Sequence, residues 1–234
     1  MCPLRIFAND RVDPKTNLRR YMDLPKFLDL LHSRELYFRR ADGFSDRLEG
    51  ALFPSLRKGM NEYFETPQYA DEFYKRSRMG NHVSCWTIGR EDNIALWQSF
   101  GGIKTTLAVS VTLNSLLGAI SKFDRCKFIC KIKYIDHLRI KNFVISEHYD
   151  VIQFKHKAYR YEKELRVILP YQSCEWEESP DFLRVPINDV NQLIKSIIVA
   201  PAATDEYFES IKDLCARYDL RVPVRRSGLA SIPV

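Results

Sequence analysis

The chain has 234 residues, of which 45% are hydrophobic and 28% charged, and a formal net charge of +6. This composition is that of an ordinary globular protein, and it excludes a disordered or low-complexity chain. No run approaches the roughly 18 consecutive apolar residues of a transmembrane helix, and the first residues lack the apolar core of a signal peptide. We therefore expect a cytoplasmic protein with no membrane partner and with its six cysteines reduced.

The length and the absence of repeats favour one domain. No Gly/Ser linker or low-complexity tract interrupts the sequence, and 234 residues are within the range of a single core. We predict one domain over residues 1–234. The mild basic excess favours an anionic partner such as a nucleotide, a nucleic acid or an acidic protein face.

The predicted elements alternate between helix and strand. Pro25 suits the first turn of a helix over 24–31, and Pro67 should divide the region 56–78 into two helices. Gly101 and Gly102 should end a helix that begins near Asn93. The predicted strands cover 35–39, 82–87, 105–112, 127–135, 165–169, 196–199 and 221–224. The remaining helices are predicted over 113–121, 151–162 and 205–218.

This order predicts an α+β fold with an irregular mixed or antiparallel sheet flanked by helices. The strands and helices lack a regular β-α-β cadence, and no Gly-rich phosphate loop follows the first strand, so a doubly wound fold is disfavoured. Pro223 limits the last strand to an edge position or a bend.

The stretch Tyr161-Glu162-Lys163-Glu164-Leu165-Arg166 is the strongest candidate for chemistry. In an extended segment, Glu162, Glu164 and Arg166 share one face. One carboxylate could pair with the guanidinium while the other acts as a base or stabilises developing positive charge. An internal ion pair that ends a helix is an equal alternative.

Asp46 and Glu49 follow a loop and are three residues apart. They could cap a helix N-terminus, or Asp46 could recognise a polar ligand. Ser84 has no neighbouring base in sequence, so no hydrolase triad is recognisable. Trp97 is expected in the core or in a cleft wall rather than as a platform for base stacking. The cysteine spacing offers no zinc site, and we predict no metal.

Several of these motifs resemble a bacterial family, the domain of unknown function twenty-nine seventy-one, over nearly the whole chain. The matching segments are Leu18-Arg19-Arg20-Tyr21-Met22, Glu35-Leu36-Tyr37-Phe38, Phe44-Ser45-Asp46, Glu49-Gly50, Val83-Ser84-Cys85-Trp86, Ala95-Leu96-Trp97, Tyr161 to Arg166, and Ile197 to Pro201. Members commonly carry Asn-Asp-Pro where this chain has Ser45-Asp46-Arg47. The family name implies no activity.

The order of an early arginine, a serine-bearing strand and a late Glu-x-Glu is similar to the plan of ADP-ribosyltransferases. That resemblance implies NAD as the bound nucleotide, an ADP-ribosyltransferase-like split sheet, and a macromolecular acceptor that is a protein or a nucleic acid. It implies that Arg19 or Arg20 holds the phosphates, that Ser84 supports the nicotinamide pocket, and that Glu164 stabilises the ribose cation. Around these we place Glu162 as a second catalytic residue and the nucleotide-binding candidates Arg39, Asp46, Trp97 and Arg166.

Three functions follow from these residues. The first is an ADP-ribosyltransferase-like enzyme that cleaves the nicotinamide–ribose bond of NAD, as an effector in a toxin or phage-defence system. The second is a module that binds a nucleotide or a nucleic acid through Arg20, Arg39, Arg40 and Asp46 without catalysis. The third is a hydrolase or nuclease with Mg²⁺ among Asp46, Glu49, Glu162 and Glu164.

Overall fold

The computed structural model describes residues 4–6, 12–46, 49–139, 145, 147–171 and 176–231. The strands in chain order are β1 (Leu4–Ile6), β2 (Asn17–Met22), β3 (Glu35–Arg40), β4 (Asn81–Ile88), β5 (Leu107–Thr112), β6 (Lys127–Lys131), β7 (Lys133–Ile135), β8 (Phe154–His156), β9 (Glu164–Pro170), β10 (Phe182–Pro186), β11 (Ser196–Val199) and β12 (Val224–Arg226). The α-helices are α1 (Leu24–Ser33), α2 (Pro54–Tyr63), α3 (Tyr69–Met79), α4 (Ile94–Ser99), α5 (Leu113–Ala119), α6 (Val190–Leu193) and α7 (Asp205–Arg217).

The chain forms two compact units, and each is built from three separate segments. The first unit contains the described residues of Met1–Arg11, Tyr37–Cys85 and Asp124–Arg184. The second unit contains those of Val12–Leu36, Trp86–Phe123 and Val185–Val234. The prediction of one domain over the whole chain stays a prediction.

The first unit is a mixed sheet with α2 and α3. Its strands follow the order β1-β6-β9-β4, and β3 pairs with both β4 and β10. The pairing of β1 with β6 is parallel and that of β6 with β9 antiparallel. A separate parallel pair joins β7 and β8. The core gathers Val83 of β4, Phe128 and Cys130 of β6 and Ile168 of β9, together with Ile152.

The second unit has a sheet in the order β2-β5-β11-β12, and the last residues of β4 pair with β2. The pairings are antiparallel except that of β11 with β12. Thr112 accepts a hydrogen bond from the backbone of Ser115 and so begins α5 with a capping box. The core contains Tyr21, Trp97 and Ile198.

The predicted α+β class with a mixed sheet flanked by helices is confirmed. The two helices separated by Pro67 are α2 and α3, and the predicted strand over 165–169 is β9. The last strand, β12, begins after Pro223 and lies at an edge of its sheet. These elements were predictable because a local pattern specifies each of them.

Two predicted elements are wrong. The region 151–162 is not an α-helix but two 3₁₀ turns, Asp150–Gln153 and Lys157–Glu162, on either side of the short strand β8. The single strand predicted over 127–135 is divided into β6 and β7, which belong to different sheets. The division falls at Ile132, whose backbone N–H donates to the carbonyl of Glu164 at 2.9 Å. Tertiary pairing therefore overrides local propensity in both regions.

In the described part of the chain, no helix is long and apolar enough to cross a membrane. Cys85, Cys130 and Cys215 are free thiols, as expected. Cys126 is in a disulfide, so the expectation of reduced cysteines is wrong at that position.

Candidate active site

A group of charged side chains surrounds the first residues of β9 in the first unit. Alternation along the strand places Glu164 and Arg166 on the same face. The Nε of Arg166 donates to Oε1 of Glu164 at 2.8 Å, and its Nη2 donates to Oε2 at 3.2 Å. Arg166 is fully buried and Glu164 is 5% exposed. The predicted pairing of these two residues is therefore present, and it is buried.

Glu162 joins this group by a different route from the predicted one. It is the last residue of a 3₁₀ turn and not part of an extended segment, because Lys163 has a left-handed backbone with φ of 45°. The ammonium of Lys155, on β8, bridges the carboxylates: its Nζ is 2.6 Å from Glu162 and 3.4 Å from Glu164. The two carboxylates are therefore close because both contact Lys155, and not because they share one face of a strand.

Glu49 is the third carboxylate of the group, and the prediction that it caps a helix is wrong. No helix begins at Asp46 or Glu49 in the described residues. Glu49 is 1% exposed, accepts a hydrogen bond from Nη1 of Arg166 and lies 3.9 Å from Nζ of Lys155. Gly50 follows with φ of 66° and packs against Ile152, a turn that disfavours any other residue type.

The two cations hold the carboxylate of Glu164 in its ionised form. Desolvation opposes ionisation, but the charges of Arg166 and Lys155 outweigh it and lower the pKa of Glu164 to about 2. Desolvation raises the pKa of Glu162, against the opposing charge of Lys155. Glu164 is therefore ionised near neutral pH and a weak proton acceptor, and its negative charge can stabilise a positive charge.

Two further groups complete the surroundings of Glu164. The thiol of Cys85, on β4, is hydrogen-bonded to its carboxylate, and the hydroxyl of Tyr134 accepts the backbone N–H of Glu164 at 2.8 Å. Ser84 is fully buried on β4, and the alternation of a strand directs it to the opposite face from Cys85. The role proposed for Ser84 beside the nicotinamide stays a prediction.

The predicted residues Arg19, Arg20 and Trp97 lie in the second unit. Arg19 is 8% exposed and donates to Asp92 at 2.9 Å and to the carbonyl of Arg90. The guanidinium of Arg20 lies over the ring of Trp86, 5.7 Å from its centroid. Their role in holding phosphates stays a prediction.

Trp97 is fully buried and packs edge-on against Tyr21, with 4.8 Å between the ring centroids. A ring without exposed surface cannot serve as a stacking platform for a base. The expected core position is the one observed, and a direct contact of Trp97 with a nucleotide is disfavoured.

The remaining candidates lie in the first unit. Arg39 is exposed on β3. Asp46 is half-buried, and its charge raises the pKa of Tyr159, which lies beside Lys155. Arg40 is bound to Asp42 and Asp181, at 2.7 Å and 2.8 Å, so its charge is already balanced.

The described residues contain no group of three or more His, Cys, Asp or Glu side chains placed to hold a metal ion. Lys155 and Arg166 occupy the space among the carboxylates Glu49, Glu162 and Glu164 where a cation would bind. This arrangement counts against the alternative of a Mg²⁺-dependent hydrolase or nuclease.

Sequence reasoning missed Lys155, Cys85 and Tyr134. Lys155 falls in the segment wrongly predicted as a helix, and no charge pattern distinguishes it from the other lysines. Cys85 and Tyr134 act on Glu164 through tertiary contacts alone. Only the strand character of 82–87 carried any signal, because it placed Cys85 in a sheet.

In comparisons with known proteins, the chain is similar in fold to solved structures, but its sequence matches no family model and no curated protein. No family model matches the chain, and a search of curated proteins gave no match. The solved structures similar to it include Thermus sp. 2.9 DarT in complex with NAD+, at 10% identity and a TM-score of 0.43, over 92% of this chain and 96% of that chain. Another is Thermus sp. 2.9 DarT in complex with ADP-ribosylated ssDNA, at 10% identity and a TM-score of 0.44, over 93% and 96%.

Proposed function

We propose that this protein is an ADP-ribosyltransferase-like enzyme that cleaves the bond between nicotinamide and ribose in NAD. The observation that carries the proposal is the charge of the buried group at β9. Among the residues that the structure describes, its three carboxylates, Glu49, Glu162 and Glu164, are paired with two cations, Lys155 and Arg166. With all three carboxylates ionised, the group has an excess of one negative charge.

An excess negative charge that is fixed before the substrate arrives suits a reaction in which positive charge develops. When the C1′–N bond breaks, its electron pair leaves with nicotinamide and the ribose becomes a cation. Glu164 is ionised by Arg166 and Lys155 and held in place by Cys85 and Tyr134. Its proposed role is to stabilise that cation. A nucleophilic group of the acceptor, a protein or a nucleic acid, then bonds to C1′ of the ADP-ribose and loses its proton to solvent.

The test is nicotinamide release from NAD⁺ by the purified protein, measured by chromatography. Glu164→Gln keeps the size of the side chain and removes its charge, so we expect release to fall about 100-fold or more. Glu72→Gln, an exposed position on α3, is the matched control and should release nicotinamide like the wild type.

Because Glu164 is paired with a buried arginine, its replacement also affects stability. Thermal melts of each variant, and Glu164→Asp, which keeps the charge, separate a loss of chemistry from a loss of fold. The proposal is wrong if the wild type neither cleaves NAD⁺ nor is stabilised by it.

A second candidate is a module that binds a nucleotide without catalysis. It is favoured by one observation: both carboxylate oxygens of Glu164 already accept hydrogen bonds from Arg166. Stabilisation by NAD⁺ without nicotinamide release, unchanged in Glu164→Gln, would support this candidate. An effector role in a toxin or phage-defence system stays a prediction for either function.

A further inference from the structure

Helix α2 has an apolar stripe that the first unit covers only in part. Leu56, Met60 and Tyr63 recur at the spacing i, i+4 and i+7, which is typical of a helix whose apolar side faces a core. Leu56 and Met60 do pack against the core of the unit. In α2, which the structure describes in full, no residue is buried, and Tyr63 is 81% exposed. The C-terminal end of the stripe therefore faces solvent.

A groove with a volume of about 270 Å³ lies along this stripe. Its lining includes apolar residues of α2 and of the positions on either side of the helix: Phe53, Leu56, Gly59, Met60, Tyr63 and Phe64. A Cβ atom at Gly59 would meet nothing within 4 Å apart from its chain neighbours and the backbone of its own helix, so the groove is open there. Sites for drug-sized ligands usually measure about 300–1,000 Å³ and enclose the ligand. This smaller, open groove is better suited to the side chains of a partner.

Three aromatic rings extend the apolar surface from the groove to the turn between α2 and α3. The rings of Phe64 and Tyr69 stack with 3.8 Å between their centroids, and Tyr63 meets Phe64 edge-on at 4.9 Å. Rings that are already packed against one another lose little side-chain freedom when a partner binds. An exposed apolar patch of this kind marks an interaction site.

Carboxylates surround these rings. Residues 60–72 contain no lysine or arginine and four acidic residues, Glu62, Glu65, Asp71 and Glu72. Lys58 of α2 lies 3.6 Å from Glu62, and Arg57 pairs with Asp71. These two cations balance two of the four negative charges, so residues 54–72 have a net charge of −2 in a chain whose net charge is +6. The surface beside the rings is therefore acidic.

We propose that this groove binds an amphipathic helix of a partner protein, with apolar side chains at the spacing i, i+4 and i+7 and with lysine or arginine beside them. Leu56 and Tyr63 are about 10 Å apart along the axis of α2, which is two helical turns. A helix laid in such a groove contributes one apolar anchor per turn. Its cations meet the carboxylates of residues 60–72, which selects this helix over an acidic one.

The negative charge disfavours other partners. It repels the phosphates of a nucleic acid and of an anionic membrane. A two-fold interface brings the same surface of both copies together, so a symmetric dimer through this groove would place the same carboxylates opposite one another. The basic amphipathic helix of a different protein has neither disadvantage.

The first test uses two synthetic amphipathic peptides, which carry leucine once per helical turn and either lysine or glutamate beside it. Binding to the full chain is followed by NMR of its methionine methyl groups, and Met60→Leu assigns the signal of Met60. We expect the lysine peptide to shift this signal and to leave that of Met22, which is 5% exposed in the second unit, in place. Equal shifts with both peptides, or a shift with neither, would overturn the proposal.

The second test compares Gly59→Phe with Gly118→Phe by calorimetric titration of the lysine peptide. A Cβ atom has open space at both positions, and Gly118 lies on α5 of the second unit. Both variants should stay folded, because phenylalanine is a better helix former than glycine. We expect Gly59→Phe to weaken binding about tenfold or more, since its ring occupies the groove, and Gly118→Phe to bind like the wild type. Equal affinities of the two variants would contradict the site.

A double variant, Glu65→Lys with Glu72→Lys, tests the charge. It should weaken binding of the lysine peptide and strengthen that of the glutamate peptide, and both effects should decrease at high salt. Unchanged affinities would contradict the choice of a basic partner.

Two further outcomes would assign the groove differently. A dimer in sedimentation that Gly59→Phe dissociates would assign it to a second copy of the chain. A shift of the Met60 signal with a single-stranded oligonucleotide would assign it to a nucleic acid. None of these measurements uses NAD, so they test the docking surface whether or not the protein cleaves it.

Discussion

At the scale of single residues, Glu164 makes the free energy of unfolding depend on pH in the acid range. Its pKa in the folded protein, about 2, is below the ordinary value near 4.3, so the folded state binds fewer protons than the unfolded state. The stabilisation is present above the ordinary value and is lost as the pH falls from about 5 towards about 2. We expect the free energy of unfolding to fall on the order of 2–3 kcal/mol more in the wild type than in Glu164→Gln across this range.

The measurement is urea unfolding of both proteins at several pH values between neutral and acid. Glu162 has a raised pKa and so opposes the effect, and because the charge of Glu164 contributes to that rise, Glu164→Gln also reduces the opposing effect of Glu162. Parallel stability curves for the two proteins would show that Glu164 is not held ionised.

Cys85 provides a second test at the same scale. Desolvation and the negative charge of Glu164 raise the pKa of its thiol well above the ordinary value. Since the thiolate is the reactive form, we expect alkylation of native Cys85 at pH 8 to be at least about tenfold slower than that of glutathione. Mass spectrometry identifies the labelled residue, and unfolding in urea should restore ordinary reactivity. Fast labelling of the native protein would contradict the hydrogen bond to Glu164.

At the scale of elements, the turn before β9 sets the position of the charged group. Lys163 is exposed and left-handed, with φ of 45° and ψ of 51°, and it directly precedes Glu164. Lys163→Gly should be as stable as the wild type or more stable by about 1 kcal/mol, because glycine has no penalty in this conformation. Lys163→Val should lower both the melting temperature and nicotinamide release. Equal melting temperatures for the two variants would contradict the left-handed conformation of residue 163.

The same region shows how far the sequence predicts the site. The pairing of Glu164 with Arg166 could be predicted from the sequence, because side chains alternate along a strand and residues two apart lie on the same face. The pairing of Arg166 with Glu49 joins residues 117 apart in sequence, and no local pattern reports such a contact. Lys155 was out of reach for a related reason, since its significance comes from the carboxylates that it contacts on other segments. The longer helices and the strands β4, β5, β9 and β11, in contrast, were predictable from periodicity and from proline positions, whereas β2 and α6 were not predicted.

At the scale of the whole molecule, the chain passes between the two units five times, near residues 12, 37, 86, 124 and 185. Neither unit is a continuous stretch. A fragment that ends at Phe123 lacks β6 and β9, and β9 pairs with β4 in the first unit. We expect this fragment to show no cooperative thermal transition by circular dichroism. A cooperative transition in the fragment would show that the third segment of each unit is dispensable.

The separation of Glu49 from Arg166 also has a consequence for synthesis on the ribosome. The carboxylate leaves the ribosome long before the guanidinium that it binds is made, and at about 5–20 residues per second the delay is on the order of ten seconds. During that time Glu49 must remain hydrated, since burial without its partner is unfavourable. A chain that ends before residue 166 therefore lacks the guanidinium that binds Glu49 and Glu164, and its charged group cannot form as described.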